Sequence, residues 1–149
     1  MVTAEEVYVD ASALAGLYVH QEGSRAMAGW RAKLGGSLAV THHGRTEVIN
    51  AICRAAFLGH LDAEGMMEAL ADFAGDFANG HLHQADILLR AALDRSAELS
   101  EAHTPTLGTR SLDVLHVACA LELKLRHFLT LDARQQKLAS AAGLRLIRL

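Results

Sequence analysis

Short runs of β-branched and aromatic residues alternate along this chain with longer stretches in which apolar residues recur every three or four positions. The short runs predict strands and the longer stretches predict amphipathic helices. The predicted strands cover residues 7–9, 37–41, 127–131 and 144–149, and a further short strand is possible within residues 79–83. Gly35-Gly36 separates the second strand from the helix before it.

Helical periodicity or composition is found in seven places. The predicted helices cover residues 11–19, 24–34, 44–58, a stretch capped by Asp62, 84–99, 111–125 and 135–142. Residues 100–109 contain the only proline and three threonines and are predicted to form the longest loop. Strands that alternate with helices in this order indicate an α/β fold, with a central, mainly parallel sheet between two layers of helices.

Composition indicates the general class of protein but not the reaction or ligand. A chain of 149 residues with 51% hydrophobic and 21% charged residues is expected to form one domain, residues 1–149. It has neither the apolar run of a membrane-spanning helix nor a signal-like amino terminus, so we expect no membrane association and a cytoplasmic location. Cys53 and Cys119 lie in apolar helical stretches and are interpreted as core residues in a reducing compartment.

Four acidic residues are predicted to lie at one edge of the sheet. Asp10 and Asp132 end the first and third strands, Glu47 follows the second strand in the first turn of its helix, and Asp113 follows the cap at Ser111. In open α/β sheets, ligands bind outside the carboxyl ends of the strands. We therefore expect the fold to bring these four carboxylates together.

Clustered carboxylates repel one another unless a cation compensates their charge. Mg²⁺ and Mn²⁺ prefer oxygen ligands and lower the pKa of a bound water, which suits hydrolysis of a phosphodiester. Each acid taken alone has a simpler explanation, since Asp and Glu are favoured near helix amino termini by capping and by the helix dipole. Only their joint placement favours a metal site.

Four segments together resemble the PIN domain family, and within it the VapC-type toxin ribonucleases. The segments are Val7-Tyr8-Val9-Asp10-Ala11-Ser12, Thr46-Glu47-Val48-Ile49-Asn50-Ala51, Arg110-Ser111-Leu112-Asp113-Val114-Leu115-His116 and Phe128-Leu129-Thr130-Leu131-Asp132-Ala133-Arg134. Each segment is short, but the four occur in the family's order across nearly the whole chain. The resemblance implies a three-layer α/β/α PIN fold.

The resemblance also implies an activity, a cofactor and partners. The activity would be endoribonuclease cleavage of RNA, such as tRNA, with Mg²⁺ or Mn²⁺ held by Asp10, Glu47, Asp113 and, less directly, Asp132. Ser12 and Thr130 are candidates for supporting the site, although a helix cap and a β-forming residue explain them equally well. The implied partners are a cognate antitoxin and a second copy of the chain in a homodimer.

A net charge of −3 gives no global attraction to nucleic acid, so contact with RNA requires local basic residues. The candidates each lie within a helical turn or two of one of the acids along the chain: Arg45, Arg54, Arg110 and Arg134. Intramolecular ion pairs with the acids are the competing explanation for each.

Other functions remain open at this point. The nine histidines show no zinc-site spacing, and His116 is expected to be a buried, hydrogen-bonded imidazole. A second hypothesis is another acid-clustered phosphotransfer domain, such as a phosphatase or a receiver phosphorylated on Asp10. The Asp10-Ala-Ser12 sequence lacks the second aspartate of dehalogenase-like phosphatases, which counts against the phosphatase branch. A third is a catalytically silent PIN-like binding module. Dinucleotide, P-loop and serine-hydrolase motifs are absent.

Overall fold

The computed structural model of the chain describes all of residues 1–149 and has an α/β fold built on parallel strands. The strands are β1 (Val7–Val9), β2 (Leu38–Val40), β3 (Leu82–Gln84), β4 (His127–Leu129) and β5 (Arg145–Leu146). Strand β4 lies between β1 and β5, while β2 pairs with β3 and lies beside β1. Every strand pair is parallel, which confirms the predicted central parallel sheet flanked by helices.

Seven helices connect and cover the strands. They are α1 (Ala11–Ala15), α2 (Ser24–Ala32), α3 (His42–Phe57), α4 (Ala63–Ala78), α5 (Leu89–Leu107), α6 (Ser111–Glu122) and α7 (Ala133–Ala141). None of these helices combines the length and apolar character needed to cross a lipid bilayer.

Strand β1 is buried on both sides, and its successive side chains pack into two different halves of the core. Val7 and Val9 pack into a cluster formed with α1, α3 and α4. Tyr8 points the other way, into a cluster formed with α6 and α7, and its ring stacks on Phe128 with the centroids 5.5 Å apart. Because successive strand side chains face opposite sides of a sheet, this three-residue strand joins both helical layers.

The predicted loop at residues 100–109 is wrong. Helix α5 begins at Leu89 instead of Gln84, which lies in β3, and it continues through Pro105 to Leu107. Leu99 and Leu107 both pack against the second core cluster, so apolar burial along α6 extends the helix past the proline. Gly108, at φ 65°, then ends the helix in the left-handed conformation that glycine adopts readily.

Three smaller predictions also differ from the structure. Arg110 rather than Ser111 is the residue before α6, and the last strand covers only Arg145–Leu146. Cys53 is exposed, because α3 buries Ile52 and the residue that follows points about 100° away around the helix. Cys119 is buried as predicted.

Candidate functional site

A polar cleft of about 440 Å³ opens at the carboxyl edge of the sheet. Its walls are formed by Asp10, Ser12, Glu47, Arg110, Ser111, Leu112, Asp113 and Asp132. The structure therefore brings all four predicted acids to one cleft. The amino-terminal ends of α6 and α7 lie at this cleft, and the helix dipole favours negative charge at such ends.

Asp10 is the most firmly held of the four acids and is only 3% exposed. Its backbone N–H donates to the carbonyl of Leu129 at 2.9 Å, which continues the pairing of β1 with β4 by one residue. Its Oδ2 atom accepts hydrogen bonds from the backbone N–H and the hydroxyl of Ser12. Ser12 thus orients the Asp10 carboxylate, and Asp10 in turn caps α1 by accepting the backbone N–H of Ser12.

Gln135 links the acids from beneath the cleft and was not singled out from the sequence. This fully buried side chain donates from Nε2 to Asp10 Oδ1 at 3.1 Å and to the backbone carbonyl of Asp113 at 3.2 Å. Its Oε1 accepts a 2.6 Å hydrogen bond from the Thr130 hydroxyl, and its backbone N–H donates to Asp132 Oδ1 at 2.9 Å. Gln135 therefore contacts three of the four acidic residues.

Thr130 supports the site indirectly. Its buried hydroxyl orients Gln135 and also accepts from the backbone N–H of Asp132 at 3.1 Å. The amide nitrogen of Gln135 donates to two acceptors, so the atom that faces Thr130 is the amide oxygen. The Thr130 hydroxyl must therefore donate its hydrogen to that oxygen. Thr130 thereby fixes which end of the amide faces Asp10.

Asp113 shows the electrostatic cost of this cluster. Burial raises the pKa of its carboxyl group above the ordinary value, and the negative charges of Asp10 and Asp132 raise it further. Arg110, whose Nε lies 3.2 Å from Asp113 Oδ2, opposes this rise without overcoming it. The cleft therefore holds more negative charge than its own side chains neutralise.

Glu47 is held by a histidine that reaches the cleft from the core. His116 is 1% exposed, and its Nε2 donates to Glu47 Oε1 at 2.9 Å, while Nδ1 lies 2.7 Å from the hydroxyl of Tyr8. Burial lowers the pKa of the His116 ring, but the hydrogen bond to Glu47 and the negative charges around it outweigh burial and raise the pKa overall. The predicted buried, hydrogen-bonded imidazole is confirmed.

Glu47 lies in the second turn of α3, not the first. The helix begins at His42 because the hydroxyl of Thr41 accepts from the backbone N–H of Gly44 at 3.0 Å and caps it. Gly44 also lets this threonine approach closely, because a Cβ atom at position 44 would lie 2.8 Å from Thr41 Oγ1. The predicted start at Gly44 overlooked this threonine cap.

A second histidine lies beside this pair. Ligand atoms of His43, Glu47 and His116 all lie within 4.8 Å of one another, and the two imidazole centroids are 4.8 Å apart. Burial and the neighbouring His116 lower the pKa of His43 to about 4. The four-residue spacing of His43 and Glu47 is visible in the sequence, but His116 joins them only in the folded chain, from the distant helix α6.

Of the four predicted RNA-binding arginines, only Arg110 lines the cleft. Its side chain is 78% exposed and pairs with Asp113, which is the intramolecular ion pair considered from the sequence. Arg45 lines a different cavity between α3 and α4, Arg54 lies in the last turn of α3, and Arg134 is exposed on α7. The structure does not bring these three to the acidic cleft.

A comparison with known protein families matches residues 7–141 to the PIN domain. The chain belongs to the PIN domain family. No curated protein is similar enough in sequence to be reported as a relative. PIN domains are generally metal-dependent nucleases, so the family supports a nuclease as the class of enzyme and a divalent metal ion as the class of cofactor.

The side chains of this PIN domain suit a hard divalent cation. Asp10, Asp113 and Asp132 offer only carboxylate oxygens to the cleft, and neither cysteine is near them. Mg²⁺ and Mn²⁺ prefer such ligands, whereas softer ions prefer nitrogen and sulfur. The raised pKa of Asp113 has the same implication, because a bound cation would offset both its causes, the burial of the carboxylate and the repulsion from Asp10 and Asp132.

Proposed function

We propose that this PIN domain is a Mg²⁺- or Mn²⁺-dependent endoribonuclease. The observation that carries the proposal is the convergence of Asp10, Glu47, Asp113 and Asp132 on one cleft at the carboxyl edge of the sheet. The fold assembles this set from four separate segments of the chain. Capping alone explains each acid separately, but it does not explain why all four border the same cavity.

The four carboxylates would hold the metal, with Asp10 as its fixed ligand. A bound ion supplies a water of lowered pKa for attack on phosphorus and neutralises charge that develops on the phosphate. Ser12 and Gln135 keep the Asp10 carboxylate oriented, so little rearrangement is needed there when a substrate binds.

Arg110 is the residue best placed to receive the RNA backbone. Its exposed guanidinium at the edge of the cleft presents planar donors that match a phosphate. Binding of phosphate would draw Arg110 away from Asp113 and leave that carboxylate free for the metal. The exposed pair costs little to break, because surface ion pairs contribute at most about 1 kcal/mol.

Cleavage of total RNA by the purified protein tests the proposal. We expect discrete fragments with Mg²⁺ or Mn²⁺ and none with EDTA. Asp10→Asn should lower the rate of RNA cleavage by about a hundredfold or more, because a direct metal ligand should contribute at least as much as the outer-shell partners, whose loss costs up to about a hundredfold. Asp94→Asn is the matched control, because Asp94 is exposed on α5 and its side chain makes no hydrogen bond or ion pair within the protein.

Two outcomes would contradict the proposal. Cleavage that persists in EDTA or in Asp10→Asn would place the activity elsewhere or in a contaminant. A folded, partner-free protein that binds RNA without cutting it under either metal would favour a silent binding module.

We further propose that the enzyme is a VapC-type toxin that acts as a homodimer and is covered by an antitoxin. The similarity of its four acidic segments to those toxins supports this subtype, and tRNA is the expected substrate. Induced expression should arrest bacterial growth with the wild-type and Asp94→Asn proteins but not with Asp10→Asn. Normal growth at equal protein levels, with ribonuclease activity intact in vitro, would refute the toxin role alone.

A further inference from the structure

We propose that His43, Glu47 and His116 form a binding site for a divalent transition-metal ion of the zinc class, separate from the all-carboxylate site but sharing Glu47 with it. Two imidazoles and one carboxylate leave open positions for water, an arrangement found in three-ligand metal sites. Mg²⁺ is a poor occupant, because it prefers oxygen ligands.

The ligand atoms already lie close to the required geometry. Ligand atoms about 2.0–2.2 Å from a tetrahedral zinc ion are roughly 3.3 Å from each other. His116 Nε2 and Glu47 Oε1, now 2.9 Å apart, would separate by a few tenths of an ångström. A ring nitrogen of His43 lies within 4.8 Å of a ligand atom of each of the other two residues, and His43 is only partly buried, so rotation of its side chain can close the gap.

The local helix geometry favours this grouping. His43 and Glu47 are four residues apart on α3 and therefore project from the same face. His43 has only one other polar contact, a 3.4 Å approach of its Nε2 to the Thr41 hydroxyl. Few interactions within the protein would be lost if the ring turned toward an ion.

Tyr8 supplies the outer partner that metal-binding histidines usually have. When His116 Nε2 binds an ion, the ring hydrogen lies on Nδ1, which is 2.7 Å from the Tyr8 hydroxyl and can donate to it. The Tyr8 hydroxyl can in turn donate to Thr41 Oγ1, 3.5 Å away. The core thus fixes the orientation and tautomer of His116.

An ion has two routes to this group of ligands. Glu47 lines the acidic cleft, and His43 lines a neighbouring cleft of about 350 Å³ that also includes Leu89 and Leu93. Occupation of the His43 site would direct Glu47 away from the acidic cleft. A transition metal bound by His43, Glu47 and His116 would then compete with Mg²⁺ for the Glu47 carboxylate and lower nuclease activity. Only this effect on activity rests on the proposed nuclease function; the binding site itself does not.

Titration of tag-free, EDTA-treated protein with Co²⁺ tests the site without any measure of activity. Imidazole ligands and low coordination number give Co²⁺ intense visible absorption bands, whereas octahedral oxygen ligands give weak ones. We expect one equivalent to bind with intense bands and to be displaced by Zn²⁺. His43→Gln should weaken the affinity for Co²⁺ by about tenfold or more, because loss of even an outer-shell partner of a metal ligand typically costs at least that much.

Two control variants locate the ion. His42→Gln changes the adjacent exposed histidine, and Asp113→Asn changes the acidic cleft without touching the three ligands; both should keep wild-type Co²⁺ spectra and affinity. Zn²⁺ should raise the melting temperature of wild type and His42→Gln by clearly more than that of His43→Gln, and Tyr8→Phe should weaken Co²⁺ binding about 10–100-fold. Unchanged binding in His43→Gln, or loss of the bands in Asp113→Asn, would overturn the proposal, as would a wild-type protein that gives only weak, octahedral bands.

Discussion

Gln135→Leu should destabilise the metal-free protein far more than its position on the short helix α7 suggests. Leucine fills a similar volume but removes three side-chain hydrogen bonds, to Asp10, to the Asp113 carbonyl and from Thr130. A hydrogen bond to a charged group contributes about 1.5–3 kcal/mol and a neutral one about 1 kcal/mol. Because Ser12 still holds Asp10 and water can enter from the cleft, we expect a net loss of roughly 3 kcal/mol.

Urea denaturation in EDTA, followed by circular dichroism, measures this loss. In a domain of this size it corresponds to a fall in melting temperature of roughly 6–12 °C. Gln136→Leu is the matched control, because Gln136 is only partly buried and its side chain makes a single hydrogen bond, to the Thr130 carbonyl at 2.9 Å. Equal effects of the two substitutions, or a loss below about 1 kcal/mol for Gln135→Leu, would refute the reasoning.

Three further predictions concern the same region. Asp113→Asn should raise the melting temperature in EDTA at neutral pH, because the raised pKa of Asp113 means that the folded protein loses stability as this carboxyl ionises with rising pH. The difference in stability from wild type should therefore vanish below about pH 3, which thermal unfolding across a range of pH measures. Mg²⁺ at a hundredfold excess over its Kd should stabilise wild type by about 2.7 kcal/mol, but not Asp10→Asn, in thermal unfolding reversed by EDTA. Gly44→Ala should lower thermal stability despite the helical preference of alanine, because its Cβ would lie 2.8 Å from the buried hydroxyl of Thr41; a higher melting temperature would contradict this.

The acidic cleft could be predicted because its signals are local. Asp10 and Asp132 follow short apolar runs, Asp113 lies in the first turn of a helix and Glu47 in the second turn of the helix after β2. Parallel strands place their carboxyl ends at one edge of a sheet. Asp10 and Asp132 could be assigned to this edge of the sheet without knowing how any side chain packs. The helical layers followed in the same way from periodicity within single segments.

What the sequence could not predict depends on contacts between distant segments. Gln135 shows no special feature in the sequence, because its partners Asp10 and Asp113 lie in distant segments. His43 meets His116 only because the fold brings their side chains together from α3 and α6. The loop prediction failed for a related reason. Pro105 is a strong local signal, but the burial of Leu107 against the core determines where α5 ends.

The four acids also differ in how firmly the protein holds them, and this difference implies an order of assembly. Asp10 is fixed by its own backbone, by Ser12 and by Gln135, and it has almost no contact with solvent. Glu47 and Asp113 each have one side-chain partner, and both partners can be exchanged for a cation. A metal ion would therefore meet Asp10 already in place, while Glu47 and Asp113 move to it. Substitutions beneath Asp10 should then weaken metal binding directly, whereas substitutions at the partners of Glu47 and Asp113 should change mainly the metal-free state.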